Sequence, residues 1–461
     1  MTVAVAAAPA SAAPYVAGAP GAGDPFFPFA GNGGYDVQHY DLTLSYERET
    51  NRLDGRARIV ARATENLSSF NLDLRPFLDV ESIRVEGNAA DFTREGEHEV
   101  VITPRKGLDD GKKFVVRVVY GGAPEPVVDP DQSIEGWIPT ADGAFVVNEP
   151  QGSPGWYPVN DTPLDKATYR FRVRVPEGRE VIANGVLAED PVTEDGWTTW
   201  HWYEDSPMAP YLATATNGNF ELDFDGQLGG VPEYNAVDPT TRVNSASAPN
   251  PALAWARLND AQPKAFELFS EVVGAYPFSS IGGIVDWAPN VFYSLESQSK
   301  ANYWRIPPLS TVVHEVAHQW FGNAVTPETW PDIWLNEGFA TWAEWYYDEH
   351  YNGIPAQDAF EDVYATPADD ELWDPAPAAL EGPEQLFHAP VYDRGAMTLQ
   401  ALRVKIGDDA FFEILRRWYA ENKYGNVSTE DFIALSEEVS GQDLDQFFDI
   451  WLRVPEKPTS W

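Results

Sequence analysis

Between Tyr35 and about Phe220, apolar and polar residues alternate with period two. Tyr40, Leu42, Leu44 and Tyr46 form one run and Phe114, Val116, Val118 and Tyr120 another. Tyr169, Phe171, Val173 and Val175 form a third, with Arg170, Arg172 and Arg174 between them. A strand turns successive side chains to opposite faces, so each run reads as a strand with one buried and one wet face. Gly111, Gly121-Gly122 and Pro176-Glu177-Gly178 punctuate the runs. Many short strands between such breakers predict an antiparallel β sandwich or saddle.

Beyond Gly218 the period lengthens. Pro263 stands at an expected helix start, Phe266, Phe269 and Val273 follow at helical spacing, and Gly274 ends the run. Residues 396–420 carry Met397, Leu399, Leu402, Phe411, Ile414, Leu415 and Trp418 on helical stripes, and Ser428-Thr429-Glu430-Asp431 supplies capping residues for a further helix. The expected class is α+β, with a β domain at residues 24–218 and a mainly helical domain at 219–461. Residues 1–23 are rich in Ala, Pro and Gly and read as a flexible tail. Within them Ala10-Ser11-Ala12 has the small-x-small pattern of a signal-peptidase site, without a basic segment before it. The segment reads as the remnant of an export signal, which makes a secreted protein the expectation; a plain Ala/Pro linker is the alternative.

Charge narrows the range of partners. The 461 residues include 31 Lys and Arg against 72 Asp and Glu, a formal net charge of −41, and no Cys. Disulfides and cysteine nucleophiles are excluded. A chain this acidic repels phosphate backbones and anionic lipid, so neither nucleic acid nor a membrane surface is an expected partner. No stretch approaches the roughly 18 consecutive apolar residues of a membrane-spanning helix. A monomer acting on neutral or cationic substrates is the simplest expectation.

The candidate chemistry lies in residues 310–322, Ser-Thr-Val-Val-His-Glu-Val-Ala-His-Gln-Trp-Phe-Gly, with Ser310 placed to cap a short helix and Gly322 to stop it. The i, i+4 spacing of His314 and His318 puts both imidazoles on one helix face, converging on one ion. Glu315 lies about 100° further round, within reach of a water at that ion. The geometry suits zinc, which in catalytic sites takes three protein ligands and keeps one position open. A third histidine in the metzincin pattern would need Gly at 321 and His at 324, where this chain has Phe321 and Ala324. A carboxylate remains, and Glu337 in Trp334-Leu335-Asn336-Glu337-Gly338-Phe339-Ala340 follows His318 after eighteen intervening residues. A site of two histidines and one glutamate follows.

With that segment the chain resembles the thermolysin-like zinc aminopeptidases, the gluzincin family of aminopeptidase N and leukotriene hydrolase. The order of a β-rich half followed by a helical zinc domain is also that family's; its α-helical C-terminal domain has no counterpart here. The resemblance implies one zinc per chain held by His314, His318 and Glu337, with Glu315 as general base. It also implies a tyrosine that stabilises the oxyanion. The family's Tyr-x-Lys-Gly stands here as Tyr392-Asp393-Arg394-Gly395, so Tyr392 is the candidate, with Arg in place of Lys.

An aminopeptidase must also read the free α-ammonium group of its substrate, which calls for carboxylates beyond those on the metal. Glu296 stands in Tyr293-Ser294-Leu295-Glu296-Ser297, where the family writes Gly-x-Met-Glu-Asn on a strand along the substrate. Only the Glu survives in this copy, and Tyr293 becomes a candidate pocket wall. Glu149, in Asn148-Glu149-Pro150, resembles the acid that the family's β domain sends into the cleft. Asn336, Asp332 and Glu344 are alternative partners for the second nitrogens of the histidines. The aromatic run from Trp334 to Tyr347 reads as helix packing. The expected activity is removal of N-terminal residues from peptides, with a zinc endopeptidase as the alternative and an epoxide hydrolase or an idle peptide-binding protein more remote.

Overall fold

The computed structural model describes residues 14–459; Ala10-Ser11-Ala12 lies outside them. The first half is built on an eight-stranded sheet in which the three alternating runs are near neighbours. Tyr35–Glu47 pairs antiparallel with Arg52–Ala63, which pairs in turn with Lys113–Gly122. On its other side it pairs with Ala167–Pro176, in register Tyr40 to Tyr169, Leu42 to Phe171 and Leu44 to Val173. That last pair is, among the described residues, the one parallel pairing in an otherwise antiparallel sheet: more than a hundred residues separate the two strands, and the long connection brings the chain back in the same direction. The alternation does what it predicts. Tyr40, Leu42, Tyr169 and Phe171 are fully buried, the rings of Tyr40 and Tyr169 stack at 4.8 Å, and Arg170 and Arg174 face solvent.

Leu67–Asp73, Asp91–Glu95 and Glu99–Thr103 form a second sheet. Residues 14–23, expected within the flexible tail, pack against its edge: Val16 and Ala17 pair in parallel with Leu67 and Ser69, and the amides of Val16 and Gly18 donate to Asn66 and Ser69. An edge strand presents unpaired backbone groups, and this segment satisfies them. A third sheet of five strands contains Ala144–Val147, which leads directly into Glu149, and ends its last strand at Gly218.

From Glu221 onward a separate four-stranded sheet appears, made of Glu221–Asp223, Asn235–Val237, Gly283–Val285 and Ala301–Tyr303. Around it lie seven helices among the described residues longer than two turns: α1 Pro251–Val272, α2 Leu309–Ala317, α3 Trp334–Tyr347, α4 Ala356–Tyr364, α5 Gly395–Ile406, α6 Asp408–Asn422 and α7 Thr429–Ser440. None is long and apolar enough to cross a membrane.

Three helix boundaries differ from expectation. Pro263 lies inside α1, which starts twelve residues earlier with Asn250 accepting from the Leu253 amide and Pro251 in the first turn. Its early stripe of Ala254, Leu258 and Ala261 is buried but too small to signal strongly. Ser310 sits within the first turn of α2 rather than at its cap, because Pro308 takes that position. Gly407, at φ +84°, divides the stripe of 396–420 into α5 and α6. The capping box at Ser428 and Asp431 forms as read.

Candidate active site

Pro308 ends the extended approach to α2, and Val312, Val313 and Val316 bury one side of that helix against its neighbours α1 and α3. The histidines are left on the cavity side. After His318 the chain turns sharply at Gly322, whose φ of +115° is left-handed, and enters α3, which carries Glu337 in its first turn. The three side chains converge: His314 Nε2 lies 3.1 Å and His318 Nε2 3.5 Å from Glu337 Oε2.

The opposite nitrogens fix the rings. His314 Nδ1 donates to Glu344 Oε1 at 2.8 Å and His318 Nδ1 to the Phe321 carbonyl at 3.0 Å. Glu344 stands two turns along α3 from Glu337, so one helix face supplies both a ligand candidate and the group that orients another. Of the three partners open from sequence, Glu344 alone takes this place; Asn336 donates to Tyr211 and Asp332 accepts from Thr429.

With both Nδ1 atoms engaged, both Nε2 atoms point at one carboxylate oxygen. All three donor atoms lie within 4.8 Å of one another. Two imidazoles and one carboxylate, oriented from behind by a carboxylate and a carbonyl, are a donor set that fits zinc.

The other predicted residues surround the same point. Glu315 is buried beside the histidines, and burial pushes its carboxyl up to about 8, beyond what the two imidazoles draw back. Tyr392 occupies a π-helical turn, Pro390–Arg394, leading into α5, and its ring stacks on His314 at 6.1 Å. Burial and the surrounding carboxylates raise its phenol well above the ordinary range, keeping it a neutral donor. Arg394 explains the departure from Lys. Its guanidinium is fully buried and donates to the carbonyls of Trp373, Ile450, Trp451 and Val454, four acceptors that three ammonium hydrogens could not all satisfy.

Glu149 and Glu296 arrive from opposite halves of the chain. One carboxylate oxygen from each lies within 4.8 Å of the other and of Glu337. They are 6% and 2% exposed, and one oxygen of each is buried without a hydrogen-bond partner. Burial, then the neighbouring carboxylates, drives Glu149 well above its ordinary pKa, and burial is also the main cause of the raised value of Glu296. The expected strand at 293–298 is reduced to an extended segment with a single bridge, Leu295 to Asn302. Phe145 and Val147, just before Glu149, pack with Val291 and Leu295, just before Glu296, in a small apolar cluster apart from the main core. That cluster sets the spacing of the two acids.

A cavity of about 430 Å³ is lined by all seven predicted residues together with Tyr293, Asp131, Phe292 and Phe387. The Tyr293 hydroxyl donates to the Ile134 carbonyl, which ties this wall to the β domain. Gln319 and Asn323 were missed from sequence. Their amides donate to the Glu296 carbonyl at 3.0 and 2.7 Å and hold the Glu296 segment against the end of the histidine helix. Their one signal was position, one and five residues after the second histidine.

Residues 36–212 match the profile of the Peptidase M1 N-terminal domain, and residues 290–451 that of the Peptidase family M1 domain. The chain belongs to peptidase family M1. Among M1 proteins it is 26% identical to aminopeptidase A of Gloydius brevicauda, over 90% of this chain and 46% of that protein. It is 25% identical to aminopeptidase N of Lactobacillus helveticus, over 92% of this chain and 51% of that protein. The chain thus spans about half the length of the curated relatives it matches. An M1 zinc metallopeptidase from Deinococcus radiodurans superposes with a TM-score of 0.83 at 29% identity, covering 95% of this chain and 98% of that one. A mutant of that enzyme has been solved with a Tyr-Ser-Ala substrate.

Proposed function

We propose that this M1 protein is a zinc aminopeptidase that hydrolyses the first peptide bond of peptides with a free N-terminus. The observation that carries the reading is the pair Glu149 and Glu296: two buried carboxylates, each with an unpartnered oxygen, at the rim of a two-histidine, one-glutamate cluster. A substrate ammonium supplies the positive charge and donors that this pair lacks.

His314, His318 and Glu337 would hold one zinc at this site. When bound, the ion supplies Lewis acidity, polarising the scissile carbonyl and acidifying the attacking water. Glu315 takes the proton from that water and passes it to the leaving amine, and its raised pKa suits both transfers. Tyr392 donates its hydroxyl hydrogen to the oxyanion as the tetrahedral centre forms. Glu149 and Glu296 accept from the α-ammonium group and thereby register the first peptide bond over the metal ligands.

The test is a set of aminoacyl and peptidyl amides presented with free and with acetylated N-termini. Cleavage of the free set alone, lost on chelation, is expected. Equal cleavage of the acetylated set would keep the hydrolytic site and replace the aminopeptidase reading with an endopeptidase.

A further inference from the structure

The outward face of the eight-stranded sheet runs against the charge of the chain. Register places Arg170, Arg172 and Arg174 of Ala167–Pro176 beside Asp41, Thr43 and Ser45 of Tyr35–Glu47. On the other side of that strand, Arg58 and Arg56 of Arg52–Ala63 stand opposite Asp41 and Thr43. Arg117 follows opposite Arg58, and Arg84 of Leu78–Val85 opposite Arg117. All seven arginines lie on the solvent side of the pleat, five of them exposed and Arg58 and Arg172 half-buried. Like charges directly opposite each other in a sheet repel, and Arg58, Arg117 and Arg84 form an unbroken row of three.

A chain with 72 acidic residues could place a carboxylate beside each of these guanidiniums, yet among the described residues none of the seven forms an ion pair. Asp41 lies between Arg170 and Arg58, and Asp54, at the edge of the array, is bonded to Arg52 at 2.6 Å. Arg170 and Arg174 lie over the rings of Tyr203 and Trp197 at 5.5 and 4.6 Å, and Arg172 Nη1 donates to the Thr43 hydroxyl at 3.4 Å. Their charges are left for a partner outside the chain.

A groove of about 430 Å³ runs over the short side chains of Thr43 and Ser45, with Arg172 and Arg174 to one side and Arg56 to the other; Asp54 and Glu81 stand on its rim. Its walls flank a single strand and so stand roughly 10 Å apart, while alternate residues along each wall repeat at roughly 7 Å. The second spacing is also that of side chains on one face of an extended polypeptide. The floor offers hydroxyls. Tyr120, beneath it, is buried, and Tyr203 and Trp197 at the border are covered by Arg170 and Arg174, so single-stranded nucleic acid would lack a platform on which to stack its bases.

We propose that this groove is a docking site for an acidic segment of an extended polypeptide, whose carboxylates pair with the arginines of the two walls. Arginine suits the task because its planar fork meets a carboxylate with two parallel hydrogen bonds. The negative charge over the rest of the molecule repels the remainder of such a partner, which keeps the contact short and confined to the array. The groove shares no lining residue with the catalytic cavity, and the site does not depend on the peptidase reading.

The probe is an N-acetylated octaglutamate with a dye at its C-terminus, titrated with the whole protein and followed by fluorescence anisotropy. Binding is expected at low ionic strength, about 50 mM, and is expected to weaken steeply by about 300 mM. Arg172→Gln and Arg56→Gln, on opposite walls, are each expected to weaken it by about 10-fold at unchanged melting temperature. Arg416→Gln on α6 removes the same charge far from the groove in sequence and should leave the affinity as it is. Absence of binding at low salt, an affinity untouched by both wall variants, or an equal loss in Arg416→Gln would overturn the site. Displacement of the peptide by a thymidine octamer or a sulfated octasaccharide at equal or lower concentration would overturn the choice of an acidic polypeptide.

Discussion

At the scale of single residues the catalytic reading depends on side chains that only orient others. Glu344 accepts from His314 Nδ1 and so fixes which nitrogen faces the cluster. Glu344→Ala is expected to weaken zinc binding by about 10- to 100-fold, measured by competition with a chelator of known affinity. Tyr392→Phe removes one hydroxyl from a ring whose stacking on His314 remains; kcat should fall by about 10²- to 10³-fold with KM little changed, since the donor acts on charge that develops during the reaction. His314, Glu315 and His318 were legible as candidates because their spacing puts them on neighbouring positions of one helix; Glu337 needed the absence of a third histidine and the family resemblance as well, and the structure brings its carboxylate to both imidazoles. Glu344 was not separable from Asn336 and Asp332, because helical spacing offers all three and only the packing of α2 on α3 selects one. Gln319, Asn323 and Tyr211 hold carbonyls or side chains far away in sequence, and no local pattern announces such partners.

At the scale of elements the active site is a crossing of helices. A Cβ built on Gly338 would fall 2.9 Å from the backbone of Gly395, and one built on Gly395 would fall 2.9 Å from Gly338, so α3 and α5 touch backbone to backbone. That contact explains the glycines in Trp-Leu-Asn-Glu-Gly and Tyr-Asp-Arg-Gly: it brings Glu337, one residue before the first, near Tyr392, three before the second. Gly338→Ala inserts a methyl group where rigid backbone cannot yield. We expect about 1–3 kcal/mol of destabilisation in urea unfolding, together with a fall in kcat as Glu337 and Tyr392 move apart. The long alternating strands were plain in the sequence. The short strands Asn235–Val237, Gly283–Val285 and Ala301–Tyr303 were not: each is three buried residues long, too short for period two to emerge.

Over the whole molecule, 31 basic residues serve 72 acidic ones, and one of the few lysines joins the two halves. Lys166, beside the β-domain strand Ala167–Pro176, extends its ammonium to the carbonyls of Asn323, Ala324 and Gly425, at 3.4, 3.3 and 2.8 Å. Asn323 and Ala324 belong to the turn just past His318, so this contact ties the histidine-bearing helix to the half of the chain whose strands lead to Glu149. Burial pulls the Lys166 amine down to about 7. An unfolded chain holds that proton to about pH 10. Between these values the unfolded state binds more protons than the folded one, so this group's contribution makes stability rise with pH. Lys166→Met has no proton to release. Wild type is therefore expected to gain on Lys166→Met by about 1 kcal/mol between pH 7 and pH 9, a figure discounted for the residue's partial exposure, in paired urea denaturations at the two pH values. A difference that stays flat, or falls as pH rises, would mean that the three carbonyls keep the ammonium charged throughout and that it crosses the domain boundary as an ion.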